Sequence, residues 1–226
     1  MLTGIITASG AATRFNGLPK FLLPIQNSSL SLLDIHIKNA LQICDQIVLT
    51  INSRWVPLLP TLDSRVHIIP LEPSTMPDAV LVAANLIPSD HYVVIMPDTY
   101  IDVSPIERLV EVEASSGSDI VVASWKMTKS LVGRVGQIIS EGNQITNIVD
   151  KDSTCNLPRF WGMILLNKPA LQFIHNTDDH LGQALARAIH SGTIMVEARI
   201  PGKYYDVCDL ASYTELLIGM QSSRPQ

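Results

Sequence analysis

Three cysteines in 226 residues, Cys44, Cys155 and Cys208, are too few and too scattered for a disulfide framework. No two have metal-ligand spacing, so reduced thiols in a cytoplasmic protein are expected. No apolar run approaches the roughly 18 residues of a membrane helix. The apolar stretch before Ala8 is only about five residues, too short for a signal peptide, and no basic segment precedes it. Blocks of lysine or arginine are also missing, and the formal net charge is -5. A nucleic-acid groove is therefore excluded, although a local pair of cations would still suffice for a small anion. Aromatic residues are 5% of the chain, and Trp55, Trp125 and Trp161 form no stacking series for a single strand. Charged residues at 16% against 46% apolar rule out a disordered chain. There is no internal repeat and no low-complexity segment. The composition leaves room for a homo-oligomer.

What is present is an alternation of strand-length apolar runs with helical patterns. Strands are predicted at Gly4–Ala8, Gln46–Ile51, Arg65–Ile69, His91–Met96 and Asp119–Ser124. Between them, Leu30, Leu33, Ile37 and Leu41 recur at helical spacing, with Ser31 and Asp34 forming a capping box. Thr75 caps a helix carrying Ala79 to Ile87, and Ser104 followed by Pro105 and Glu107 starts another. Such alternation implies parallel strands with crossover helices. The pattern then changes. Val132–Ser140 and Gln144–Asp150 flank Glu-Gly-Asn, a hairpin signal. A strand at Phe160–Asn167, helices near Pro169–Ile174 and Leu181–His190, and strands at Ile194–Ala198 and Lys203–Val207 follow. A final helix over Leu210–Met220 is capped by Asp209, and the tail from Ser222 is expected to fray. The reading is a single α/β domain: a Rossmann-like three-layer αβα arrangement with a mixed, mostly parallel sheet.

The first strand opens into small residues, Ala8, Ser9, Gly10, Ala11 and Ala12, and then into Arg14 and Lys20. That is the composition of a phosphate loop; the competing reading is a tight turn with solvated cations. Asp98 directly follows "YVVIM", at the carboxyl end of a strand, where open α/β sheets bind ligands. Asp206 follows "KYY", and Asp102 lies near Asp98. Alone, each aspartate reads as a turn or cap residue. Together at one sheet edge with a phosphate loop, Asp98 and Asp206 could supply the carboxylate pair a magnesium ion needs. "HNTDDH" (175–180) reads as a solvated connection rather than a transition-metal site, and Cys208 as a small packing residue.

The motifs resemble those of the sugar-nucleotide pyrophosphorylase (nucleotidyltransferase) family. The family's A-G-G-x-G-T-R, Pro-Lys and L-L-P are similar to Ala8–Arg14, Pro19-Lys20 and Leu22-Leu23-Pro24. "LEPSTMPDAV" resembles its nucleobase loop, Pro97-Asp98 its G-D metal aspartate, and Asp150-Lys151-Asp152 its E-K-P. "WGMILL" with Gly162 resembles its small-G-I-Y strand. "YYDVCDLASY" resembles W-x-D-I-G-T followed by E-D-Y. The order holds from about residue 3 to 213. The departures are Ser9 and Ala12 for loop glycines, Pro97 and Cys208 for glycines beside the aspartates, and Tyr204 for tryptophan.

The resemblance implies the nucleotide-diphospho-sugar transferase fold, with residues 1–125 as a nucleotide-binding half and 126–220 as an acceptor-binding half. It implies a nucleoside triphosphate and a small phosphorylated acceptor, usually a sugar 1-phosphate, as partners. Magnesium would sit on Asp98 and Asp206. Arg14 and Lys20 would be catalytic, stabilising phosphate charge. Ala8 to Ala12 would cradle phosphates, Glu72, Thr75 and Asp78 would lie at the base, Lys151 would grip the acceptor phosphate, and Gly162 would line the acceptor site. Two alternatives are a member that only binds a nucleotide or sugar nucleotide, and a glycosyltransferase on the same fold.

Overall fold

A computed structural model describes residues 1–12, 15, 17–25, 30–72 and 74–221. Arg14 and the tail from Ser222 lie outside the described residues.

Four strands run parallel at one side of a nine-stranded sheet: β1 (Leu2–Ala8), β2 (Gln46–Asn52), β3 (Val66–Leu71) and β4 (His91–Ile95), in the order β3-β2-β1-β4. Their crossovers include α1 (Leu32–Ala40) and α2 (Met76–Leu86). The ends of these helices follow their local chemistry. Ser31 and Asp34 form the reciprocal capping box at α1, and Thr75 accepts from the Asp78 amide at α2. Apolar residues on both faces bury the sheet: Ile6 packs into one layer and Ile5 into the other.

The sheet continues through β9 (Arg159–Asn167), β6 (Ile120–Lys126), β10 (Met195–Arg199), β8 (Gln144–Asp150) and β7 (Gly136–Glu141). Strand β9 is antiparallel to both β4 and β6, so a segment from late in the chain is inserted between strands from its first half. Helix α3 (Ile106–Ser116) precedes β6, and α4 (Leu181–His190) precedes β10.

The expected three-layer sandwich needs a correction. Gln137 pairs with Phe160 and Ile138 with Arg159, so β7 returns to β9 and the strands β9, β6, β10, β8 and β7 close on themselves. Register shifts at Ala123/Ser124 and at Ile139/Ser140 mark irregular points in this region, of the kind that bend strands enough for closure. Glu197 lies inside it with its side chain fully buried. It accepts from Ser124 Oγ (2.6 Å), Ser140 Oγ (2.8 Å), Arg159 Nε (2.5 Å) and Arg199 Nε (3.1 Å). One carboxylate therefore ties β6, β7, β9 and β10 together.

Three local expectations also change. Pro105, not Ser104, is the N-cap of α3, and it makes no side-chain capping bond. The segment Lys168–Phe173 is a 3-10 turn rather than an α-helix. Residues 132–135 belong to a loop before β7, not to the strand. The antiparallel pair of β5 (Thr99–Ile101) with β11 (Tyr204–Asp206) completes the strands, and α5 (Leu210–Gln221) follows it. No described helix is long and apolar enough to cross a membrane.

Candidate active site

The small β5–β11 pair decides where the carboxylates meet. It is too short to be a core element, yet its antiparallel register sets Asp206 opposite Thr99, and the Val207 amide donates to the Asp98 carbonyl at 2.9 Å. Asp102 secures the same ribbon by accepting from the Lys203 amide at 2.8 Å. On the other side, buried His36 of α1 donates from Nε2 to the Thr99 carbonyl at 2.8 Å. A carbonyl can only accept, so the proton is on Nε2. Burial holds the His36 pKa below the ordinary imidazole value, although the nearby Asp98 charge opposes this.

Asp98 and Asp206 face a cavity of about 350 Å³ that also receives Lys20, Arg134, Asp150, Lys151, Trp161 and His180. Lys20 begins a 3-10 turn after Pro19, anchored by buried Phe21, and places its Nζ 2.6 Å from Asp98 Oδ2. Arg134 reaches Asp206 Oδ2 from Nε (3.3 Å) and from Nη2 (2.9 Å). Burial pushes the Asp206 pKa up and the charge of Asp98 adds to it; Arg134 and Lys20 pull the other way without cancelling the rise. The two carboxylates thus sense each other as like charges.

Among the described residues no group of three or more His, Cys, Asp or Glu side chains is arranged to hold a metal by itself. A magnesium ion does not require one, because it keeps waters and takes one or two carboxylates plus substrate phosphates. Two mutually repelling carboxylates are a donor set of that kind, and the one thiol in the cavity lining, Cys208, accepts from Arg134.

Lys151 has a positive φ of 52°, a conformation costly for a side chain with a Cβ, and its Nζ lies 3.2 Å from His180 Nδ1. Asp150 Oδ2 and Trp161 Nε1 are buried and without hydrogen-bond partners. Asp150 and Trp161 close around Gly136, whose missing Cβ makes room for the indole N–H. Both side chains border the cavity, with these two atoms turned into its wall beside Gly136 and Gly182.

The other predicted site residues fall elsewhere. Ala8 is a buried strand residue, and Ser9 Oγ is 2.9 Å from Ser74 Oγ, joining the small-residue loop to the loop before α2. Ala11 accepts from Arg54 Nη2 at 2.7 Å. A Cβ on Gly10 would meet nothing within 4 Å. Ala12 has φ 54°, in the left-handed region, where glycine would be unstrained. Thr75 spends its hydroxyl on the α2 cap, and Glu72 accepts from Ser53 Oγ at 3.1 Å. Asp78 sits in the first turn of α2. Gly162 packs against Tyr204, to whose ring an added Cβ would lie 2.5 Å. "HNTDDH" is a connection with five of its six residues exposed, as expected; Asp178 is buried against Arg187, and the exposed Asp179 and His180 border the cavity.

A family model described as the MobA-like NTP transferase domain matches residues 4–142, more than half of the chain. The chain belongs to that family. It is a nucleotidyltransferase. None of the curated proteins matches it in sequence. Its fold is similar to that of a UDP-glucose pyrophosphorylase solved with UDP-glucose, at 16% identity, a TM-score of 0.83, and coverage of 99% of this chain and 100% of the other. A putative glucose-1-phosphate thymidylyltransferase from Bacillus anthracis gives 14% identity and a TM-score of 0.83 over 100% and 98% of the two chains. The inositol-1-phosphate CTP transferase from T. maritima gives 14% and 0.78 over 99% and 98%.

Sequence reasoning did not find Arg134 in the nucleotidyltransferase. The signal was "GRVG", an arginine between glycines ahead of a hairpin, which marks a tight loop carrying a cation. His36 gave no signal, since a histidine on an apolar helix face reads as core.

Proposed function

We propose that this nucleotidyltransferase joins a nucleoside triphosphate to a small phosphorylated acceptor of the sugar 1-phosphate kind, with magnesium, and releases pyrophosphate. The observation that carries the reading is the convergence of Lys20, Asp98, Lys151 and Asp206 on one cavity although they are distant in the chain. An acceptor phosphate oxygen would attack the α-phosphorus in line. The new P–O bond would form as the bond to the bridging oxygen breaks, and that oxygen's electron pair would leave with pyrophosphate. Asp98 and Asp206 would hold the magnesium, which when bound would offset the charge where the two phosphates approach. Lys20, beside Asp98, is placed to neutralise the triphosphate, and Arg14 is assigned the same task on the resemblance alone. Lys151 would hold the acceptor phosphate.

The neighbouring folds bind UDP-glucose or are named for glucose-1-phosphate and inositol-1-phosphate, which supports that class of acceptor.

The test is a pyrophosphate-release screen of nucleoside triphosphates against small phosphates, repeated with Asp98→Asn. One pair should give turnover, and the variant should lose about 10²–10³-fold, as removal of a charge-stabilising group does. Asp98 is partly exposed and pairs only with Lys20 among the described residues, so the melting temperature should move by less than about 4 °C. Undiminished release in the variant would overturn the metal assignment. Release of nucleoside diphosphate from a nucleoside-diphosphate sugar offered in a parallel arm would favour a glycosyltransferase, and nucleotide binding without turnover a binding-only member.

A further inference from the structure

Arg134 sits on the loop between β6 and β7, held by buried Leu131 and Val135 on either side. Gly133, at φ 76°, packs against Ser153 so closely that a Cβ would be 2.9 Å from the serine Cβ. The loop thereby delivers the guanidinium to one place. There Nε and Nη2 turn onto one partner region, Asp206 Oδ2, the Asp206 carbonyl (3.0 Å) and Cys208 Sγ (2.8 Å), while Nη1 reaches the Ser130 carbonyl at 3.5 Å. The side chain is still 31% exposed, and it lines two cavities, the one of about 350 Å³ with Lys20 and Asp98 and a neighbouring one of about 790 Å³.

The charges of this constellation cancel. Lys20 covers Asp98 and Arg134 covers Asp206, two cations on two carboxylates. A divalent cation that engages Oδ2 of Asp206 displaces Arg134 from it and adds two positive charges to these four side chains. Phosphates are what can offset that excess, and a guanidinium released beside them is the donor best shaped to bind them bidentately.

We propose that Arg134 is a phosphate-binding residue held on Asp206 in the free protein, and that it exchanges the carboxylate for a substrate phosphate when Asp206 engages a divalent cation. The inference rests on the nucleotidyltransferase site described above. It makes cation binding weak without phosphates and phosphate binding dependent on Arg134, a reciprocal coupling through one side chain.

The test uses two titrations that need no turnover. Calorimetry with MnCl₂ alone, at pH 8, should show Arg134→Gln binding manganese about tenfold more tightly than the wild type, because the competitor is gone. Calorimetry with pyrophosphate at saturating magnesium should show the same variant binding about tenfold more weakly, with Arg134→Lys in between. A thermal melt confirms that both variants are folded. Unchanged or weaker manganese binding by Arg134→Gln, or unchanged pyrophosphate binding, overturns the proposal. If the wild type still releases pyrophosphate in the substrate screen, the nucleotidyl-transfer reading stands despite that failure. If neither protein binds manganese and no substrate pair turns over, both fall.

Discussion

Glu197→Gln tests whether the closed part of the sheet depends on its buried charge. The substitution keeps the shape of the side chain and removes only the negative charge. In the wild type the carboxylate accepts from Ser124, Ser140, Arg159 and Arg199 with no solvent exposure. Glutamine offers one oxygen, and its amide nitrogen must face a pair of donors. Breaking a buried pair from one side costs about 3–5 kcal/mol. Arg159 keeps its bonds to the Ser124 carbonyl (2.9 Å) and hydroxyl, and Arg199 is 55% exposed, so water can serve it. The lower end, about 3 kcal/mol, is therefore expected, which for a chain of this size lowers the melting temperature by about 6–12 °C.

The pH dependence follows from the same contacts. Burial alone would raise the Glu197 pKa, but the hydrogen bonds from Ser124, Ser140 and Arg199 and the charge of Arg159 outweigh it and hold the group below the ordinary glutamate value. A depressed carboxylate contributes its stability fully above the unfolded value of about 4.3 and loses it as pH falls through the lower folded value. Thermal melts of wild type and variant should differ most at pH 7 and converge below about pH 4. A variant that melts within about 2 °C of the wild type at pH 7 would refute the role given to Glu197.

Ala12→Gly relieves a left-handed backbone of about 1 kcal/mol while adding a similar unfolded-state entropy, so its melting temperature should stay within about 2 °C of wild type. A drop of about 4 °C or more would show that Ala12 is not strained there. Buried His36 has a lowered pKa, so the folded state resists a proton that the unfolded chain accepts below about 6.5. Stability is therefore lost as pH falls from there toward the folded value, and His36→Gln should melt with a flatter dependence between about pH 8 and 5.5. An equal slope in the two proteins would remove His36 as the cause.

The parts of the site legible in the sequence were those set by local rules. A capping box at Ser31, an N-cap at Thr75 and an aspartate at the end of a buried strand are written within a few residues of one another, and the structure keeps them. The parts that were not legible depend on partners far away. Closure of the sheet comes from β7 meeting Phe160 and Arg159, and nothing in the alternating pattern of either strand states which edge it will find. The two-stranded ribbon that joins Asp98 to Asp206 uses three-residue strands, below the length at which period-two patterning can be read. Gly162 shows what a motif leaves out. The glycine stands in the expected place, and what its absent Cβ admits is Tyr204 and Trp125 of the protein itself. Arg134 shows the converse. Its sequence surroundings are unremarkable in charge, and it acquires a role only because a glycine-bent loop brings it onto the second aspartate. A residue that neutralises a partly buried carboxylate must be identified by what it touches, because the charge balance belongs to the pair and not to either side chain alone.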